Sequence, residues 1–212
     1  MMSASISLAV SAAVVAIGAA ASAEEANLMA GKVDTGRTIT LEATVDAAPP
    51  AVFSLWTTEP GIQSFFAPKA VIEPRVGGRY EVAFFPQLDP EGESAGTKGA
   101  RILRFEPGRA LSFEWFSFVS QDFSAVAPPG ATSPPLVPAA VRNVRPIPTW
   151  VEVSLEPIAG QPQKTHVRLT HRGFRSGPPW DESFEYFWRA WANVLGRLGA
   201  RCTRGADGSI SR

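Results

Sequence analysis

The sequence predicts an α+β domain: a curved antiparallel sheet of about seven strands around one long C-terminal helix, with two short helices after the first strand. Three observations carry this expectation. Apolar and polar residues alternate with a period of two where the domain begins. Several strand-like runs follow, joined by turns too short for parallel crossovers, and a period of three to four residues appears only at the end.

In the first strand, Ile39, Leu41, Ala43 and Val45 interleave with Thr38, Thr40, Glu42 and Thr44, the pattern of a half-buried strand. Asp46-Ala47-Ala48-Pro49-Pro50 then opens a helix, because a first-turn Pro lacks only an N–H that has no intrahelical partner. Val52, Phe53 and Trp56 form its apolar face. Thr58-Glu59-Pro60 caps a second short helix, with Ile62, Phe65 and Phe66 behind it. Strand-like runs come next at 71–74, 79–85, 100–106, 110–118, 150–156 and 165–171, each bounded by Gly or Pro. Pro107-Gly108 and Ala159-Gly160-Gln161-Pro162 read as tight turns, and Gly77-Gly78 as a bulge or sharp bend. Finally, Pro178-Pro179-Trp180-Asp181-Glu182 opens the long helix, its acids suited to the positive end of the dipole. Phe184, Phe187, Trp191, Leu195 and Leu198 form one apolar stripe, and Arg197, Arg201 and Arg204 sit toward the negative end.

Around this domain, expected to span residues 37–204, the chain divides further. Residues 1–23 read as a signal peptide: 6–23 are small and apolar, and Ala21-Ser22-Ala23 precedes Glu24-Glu25 as a cleavage site. Residues 1–7 hold no Lys or Arg, a departure from the usual leader, and an uncleaved anchor is the rival reading, disfavoured by the weak hydrophobicity of Ala, Gly and Ser. Export implies a periplasmic or secreted protein with no stable membrane span after cleavage. Residues 24–36 form a linker and 205–212 a flexible tail. Residues 119–149 carry Pro128, Pro129, Pro134, Pro135, Pro138, Pro146 and Pro148, a density that excludes helix and central strand and marks an insertion loop. That loop is either a lid or a mobile surface insertion.

Several function classes are disfavoured. Lys plus Arg and Asp plus Glu each number 20, without the basic excess of a nucleic-acid binder. With two His and one Cys, no structural zinc site is expected, and Cys202 has no partner for an internal disulfide. No cofactor motif is present. Gly92-Glu93-Ser94-Ala95-Gly96 matches G-x-S-x-G, but it lies in a polar loop with a strand expected next rather than a helix, so it reads as coincidence.

Particular runs add a resemblance. Val52-Phe53-Ser54-Leu55-Trp56-Thr57-Thr58-Glu59-Pro60-Gly61-Ile62, then Phe65-Phe66-Ala67-Pro68, resembles the helical opening of the family named for the activator of the heat-shock-protein-90 ATPase. Val76-Gly77-Gly78-Arg79-Tyr80 is similar to its Gly-Gly strand start, and Phe105 to Trp115 to its central hairpin. Leu169-Thr170-His171-Arg172-Gly173-Phe174 with the following helix completes the likeness, from about Arg37 to Arg201. The family belongs to the START-like (SRPBCC) superfamily of helix-grip, birch-pollen-allergen-like fold. That superfamily hosts lipid carriers, cyclases, stress proteins and co-chaperones, so the resemblance implies fold more narrowly than function.

In a helix-grip fold, the inward strand faces line the space beneath the helix stripe. Parity places Tyr80, Val82 and Phe84 on one such face, with Leu111, Phe113 and Trp115, with Val151, Val153 and Leu155, and with Val167, Leu169 and His171. Such faces make either a ligand cavity or a filled core. An empty cavity of about 300 Å³ would cost roughly 7 kcal/mol, most of a domain's net stability of about 5–15 kcal/mol, so side chains or a ligand must fill the space. The resemblance implies an apolar small molecule or lipid held there. Its expected lining is Trp56, Phe65 and Phe66 from the short helices and Tyr80, Phe84, Phe113, Trp115, Leu169 and His171 from the sheet. The long helix adds Phe184, Phe187, Trp188 and Trp191. His171 is read as a satisfied core residue or as a polar handle for a ligand. Two alternatives remain: a cyclase- or hydrolase-like enzyme needing His171 beside Arg79 or Glu185, and a co-chaperone-like interaction domain, which sits badly with an export signal.

Overall fold

The computed structural model describes residues 37–93, 95–117 and 147–206. All of them fall in the compact unit Asp34–Arg212. Their order is β1 (Ile39–Val45), α1 (Pro49–Thr57), α2 (Glu59–Phe65), β2 (Lys69–Ile72), β3 (Tyr80–Ala83), β4 (Ile102–Glu106), β5 (Ala110–Ser117), β6 (Ile147–Ile158), β7 (Gln161–Arg172) and α3 (Pro178–Ala206).

The short turns of β4–β5 and β6–β7 require antiparallel neighbours, and the other pairings are antiparallel as well. Five strands make one sheet in the order β1-β7-β6-β5-β4, and β2 and β3 make a second. Backbone bonds link the two: Tyr80 N–H donates to the Ala100 carbonyl at 2.9 Å, and Ile102 N–H to that of Gly78 at 2.8 Å. The seven strands expected from sequence are therefore present as five plus two. Thr97 completes the junction. Its hydroxyl accepts from Val82 N–H at 2.9 Å and donates to the Tyr80 carbonyl at 3.0 Å, satisfying backbone groups a missing strand would have paired.

The G-x-S-x-G run has a packing explanation. The Asp89 carboxylate accepts from the Glu93 and Ala95 N–H groups at 3.0 and 2.8 Å, folding the loop back on β3. A Cβ on Gly96 would lie 2.2 Å from the Val82 carbonyl oxygen and one on Gly92 2.7 Å from it, so both positions must be bare. Gly96 then bridges to Ala83, and strand β4 follows rather than a helix. Ser94 lies outside the described residues.

The Pro-rich boundary needs a correction. Residues 147–149, placed in the insertion loop by their prolines, begin β6, and Pro148 is paired with Phe116. Pro is tolerated there because β6 has a neighbour on one side only: its pairing with β7 starts at Trp150 opposite Arg172. The rest of the expected loop, the leader at 1–23, the linker at 24–36 and the tail beyond 206 lie outside the described residues.

α3 packs on β1 and α2 and reaches β5 and β7 through Trp191. Arg37 anchors its start. The guanidinium donates to the Arg175 carbonyl at 3.2 Å, pairs with Asp181 in the first turn, and lies 4.8 Å from the Phe184 ring centroid. Among the described residues, no helix is long and apolar enough to cross a membrane.

Candidate functional site

The inward faces converge as parity requires. Tyr80, Val82, Leu111, Phe113, Trp115, Val151, Val153, Leu155, Val167, Leu169 and His171 are all buried. α1 and α2 close one side because their apolar residues fall on one face each: Trp56, Phe65 and Phe66 are buried and touch one another, ring centroids 5.0–6.0 Å apart. α3 contributes Phe187 and Trp191, four residues apart and hence on one helix face.

Phe66 is the hub. Its ring lies 5.7 Å from Phe84, 5.9 Å from Trp115 and 5.5 Å from Trp191, joining helix, sheet and α3. Trp115 continues the cluster to Trp191 at 5.0 Å and Phe187 at 6.5 Å, while Tyr80 stacks on Phe113 at 4.0 Å. Of the expected lining, Phe84 and Phe184 are half-buried at the edge of this ring system. Trp188 does not line it. It is 44% exposed because it stands one residue, about 100° of helix, off the buried Phe187–Trp191 stripe.

Polar atoms inside the cluster are few and mostly committed. Tyr80 donates its hydroxyl to the Trp56 carbonyl at 3.1 Å, one of the α1 carbonyls with no intrahelical partner, and burial pushes the phenol well above its ordinary pKa. His171 is fully buried. Trp191 Nε1–H donates to its Nδ1 at 3.0 Å, which fixes the proton on Nε2, and Nε2–H donates to Thr149 Oγ1 at 2.8 Å. Thr149 gives its one hydrogen to the Trp115 carbonyl at 3.1 Å and stands 3.3 Å from the Ser117 hydroxyl, which can then only donate to it. Burial lowers the His171 pKa to about 3, so the ring is neutral and both nitrogens are occupied.

That chain ties α3 to β7, β6 and β5. It also answers the two readings of His171 in favour of a satisfied core residue. The titratable pair an enzyme would need is not assembled: Arg79 is ion-paired with Glu73 at 2.8 Å, and Glu185 with Arg189 at 2.7 Å, both on solvated surface. Sequence reasoning missed Thr149, whose neighbouring prolines hid it in the insertion loop.

Two indole donors stand apart from this economy. Trp115 Nε1 and Trp56 Nε1 are buried and have no hydrogen-bond partner. Among the described residues, no Lys, Arg, Asp or Glu is buried. A separate open groove of about 610 Å³ lies at the far end of α3, between Asp46, Ala51, Leu55, Lys164, Arg201 and Cys202. None of the expected lining residues borders it. Cys202 is buried there, and burial raises its thiol pKa.

Comparison with known proteins bears on the whole domain. Residues 46–200 match the family model described as Activator of Hsp90 ATPase homolog 1-like protein. Protein MLL2253 from Mesorhizobium loti is similar at 20% identity and a TM-score of 0.55, over 79% of this chain and 98% of that one. Protein NE0264 from Nitrosomonas europaea is similar at 14% identity and a TM-score of 0.52, over 82% of this chain and 99% of that one. DynU16, from the dynemicin biosynthetic locus, is similar at 17% identity and a TM-score of 0.52, over 80% of this chain and 48% of that one. At these identities the likeness is one of fold. No curated protein matches the sequence.

Proposed function

The chain belongs to the family of activator of Hsp90 ATPase homolog 1-like proteins, and from that premise we propose that it carries an apolar or aromatic small molecule between its sheet and α3. The observation that carries this reading is an interior built of rings with no buried charge, reaching the surface at half-buried Phe84 and Phe184. Such a lining rewards removal of apolar area from water and offers nothing to an ion. A ligand burying about 300 Å² gains roughly 7 kcal/mol, before the costs of ordering it.

Because the buried rings already touch, room for a guest comes from the edge. Phe84 is the ring that moves aside, since solvent can take up its exposed part while the buried rings have nowhere to go. Native mass spectrometry of freshly purified protein tests the reading: one small-molecule mass increment per chain is expected. Ligand-free protein that stays so after incubation with an apolar extract of its host counts against it.

Export is part of the same proposal. The Ala21-Ser22-Ala23 site supports cleavage before Glu24 and delivery to the periplasm or medium, where a carrier meets molecules crossing the envelope. Sequencing the amino terminus of the protein recovered outside the cytoplasm should begin at Glu24. Recovery only in the cytosol with Met1 intact overturns export, and leaves carriage standing.

A further inference from the structure

We infer that Trp115 is the specificity residue of the carrier site, its indole N–H donating to the ligand, and that the ligand is a neutral planar molecule bearing a hydrogen-bond acceptor such as a ketone oxygen. The inference rests on the carriage reading above and adds the chemistry of the guest.

Buried Tyr and Trp side chains ordinarily place their one donor on a partner, and this protein does so for Tyr80 and for Trp191. Trp115 breaks the pattern. It is 5% exposed, its Nε1 has no partner, and it sits at the centre of the cluster with Phe66, Phe84, Phe113, Phe187 and Trp191 around it. The indole fills the space among these rings, yet its N–H is desolvated there without a partner.

Its position explains the exception. The half-buried Phe84 ring is 6.2 Å from Trp115 and 5.7 Å from Phe66, so a molecule that displaces Phe84 arrives against the Trp115 ring. Trp56, the second idle indole, packs on the same Phe66 ring at 5.6 Å and is fully buried.

The kinds of groups present select the guest. An indole N–H only donates, so the ligand must accept. An ammonium or other donor-only group gains nothing from Trp115. A carboxylate is disfavoured as well, because among the described residues no Lys or Arg is buried to compensate its desolvation, and His171 is neutral with both nitrogens occupied. A carbonyl oxygen on a flat apolar frame satisfies the donor and keeps the stacking surfaces.

Matched naphthalenes test this on the full mature protein by isothermal titration calorimetry. 2-Acetylnaphthalene and 2-ethylnaphthalene share shape and differ by one carbonyl oxygen, and 2-naphthoate supplies the charged case. The wild type is expected to bind the ketone about fivefold to tenfold more tightly than the hydrocarbon, and the naphthoate weakest. Trp115→Phe should bring the ketone and hydrocarbon to equal affinity, and it is this ratio rather than either affinity that reads the indole donor. Equal affinities in the wild type overturn the inference with no variant needed, and leave carriage intact. Tightest binding of naphthoate overturns it too. Binding of none of the three by folded protein overturns the carriage reading itself.

Discussion

At the scale of single residues, the interior turns on one hydrogen-bond chain. Trp191, His171, Thr149 and Ser117 join α3 to three strands, and every donor in the chain has an acceptor. Thr149→Val keeps the shape but leaves His171 Nε2–H and the Ser117 hydroxyl buried without it. Urea unfolding should report a loss of about 1–3 kcal/mol. Acid should act through the same residue. The folded state holds His171 near a pKa of about 3, whereas an unfolded His titrates near its ordinary 6.5. The unfolded chain therefore takes the proton first. The stability His171 contributes is present above pH 6.5 and is lost as pH falls from there toward 3, by at most about 1.4 kcal/mol per pH unit. His171→Gln should flatten the profile between pH 6.5 and the carboxylate range, where wild-type unfolding free energies fall. Glu42, Glu73 and Glu106, held below that range by hydrogen bonds from Arg168, Arg79 and Arg104, add their loss only at lower pH. Parity alone put His171 indoors. It could not supply Thr149, because a side chain's partner across a sheet depends on register, and register was obscured where the prolines crowd.

At the scale of elements, two classes of glycine separate by what a methyl group would meet. Gly96→Ala drives a Cβ into the Val82 carbonyl, a backbone atom that cannot yield without disturbing β3, and should cost about 1–3 kcal/mol in thermal unfolding. Gly196 and Gly199, in mid-α3, have nothing within 4 Å of the added atom, and each change to Ala should stabilise by about 0.5–1 kcal/mol. A uniform loss at all three positions would contradict the packing described for the loop at Gly96. Most elements were legible because their signals are local: period two in β1, first-turn prolines in α1 and α2, and the stripe of α3. The long β6–β7 hairpin was underestimated, because Pro157 and Pro162 near its tip, with the exposed Gln161 and Gln163, read as turn rather than strand. Trp188 was misjudged for a related reason. An aromatic residue beside a buried stripe resembles a member of it until the 100° step per residue is counted.

At the scale of the whole molecule, the sheet, the two short helices and α3 enclose a ring-lined, uncharged interior. The order of elements identified that architecture from sequence, whereas the state of its indole donors required coordinates. Trp56 and Trp115 hold unpaired N–H groups, while Trp191 is fully committed to His171. The committed indole belongs to the histidine chain, and both unpaired indoles pack on the Phe66 ring. The most direct measurement of carriage is a fluorescence titration of the protein with N-phenyl-1-naphthylamine, exciting tryptophan and following energy transfer to the probe. The account predicts a saturable signal at one probe per chain, competed away by 2-acetylnaphthalene. A signal that rises without saturation, or no transfer from a demonstrably folded protein, would contradict it.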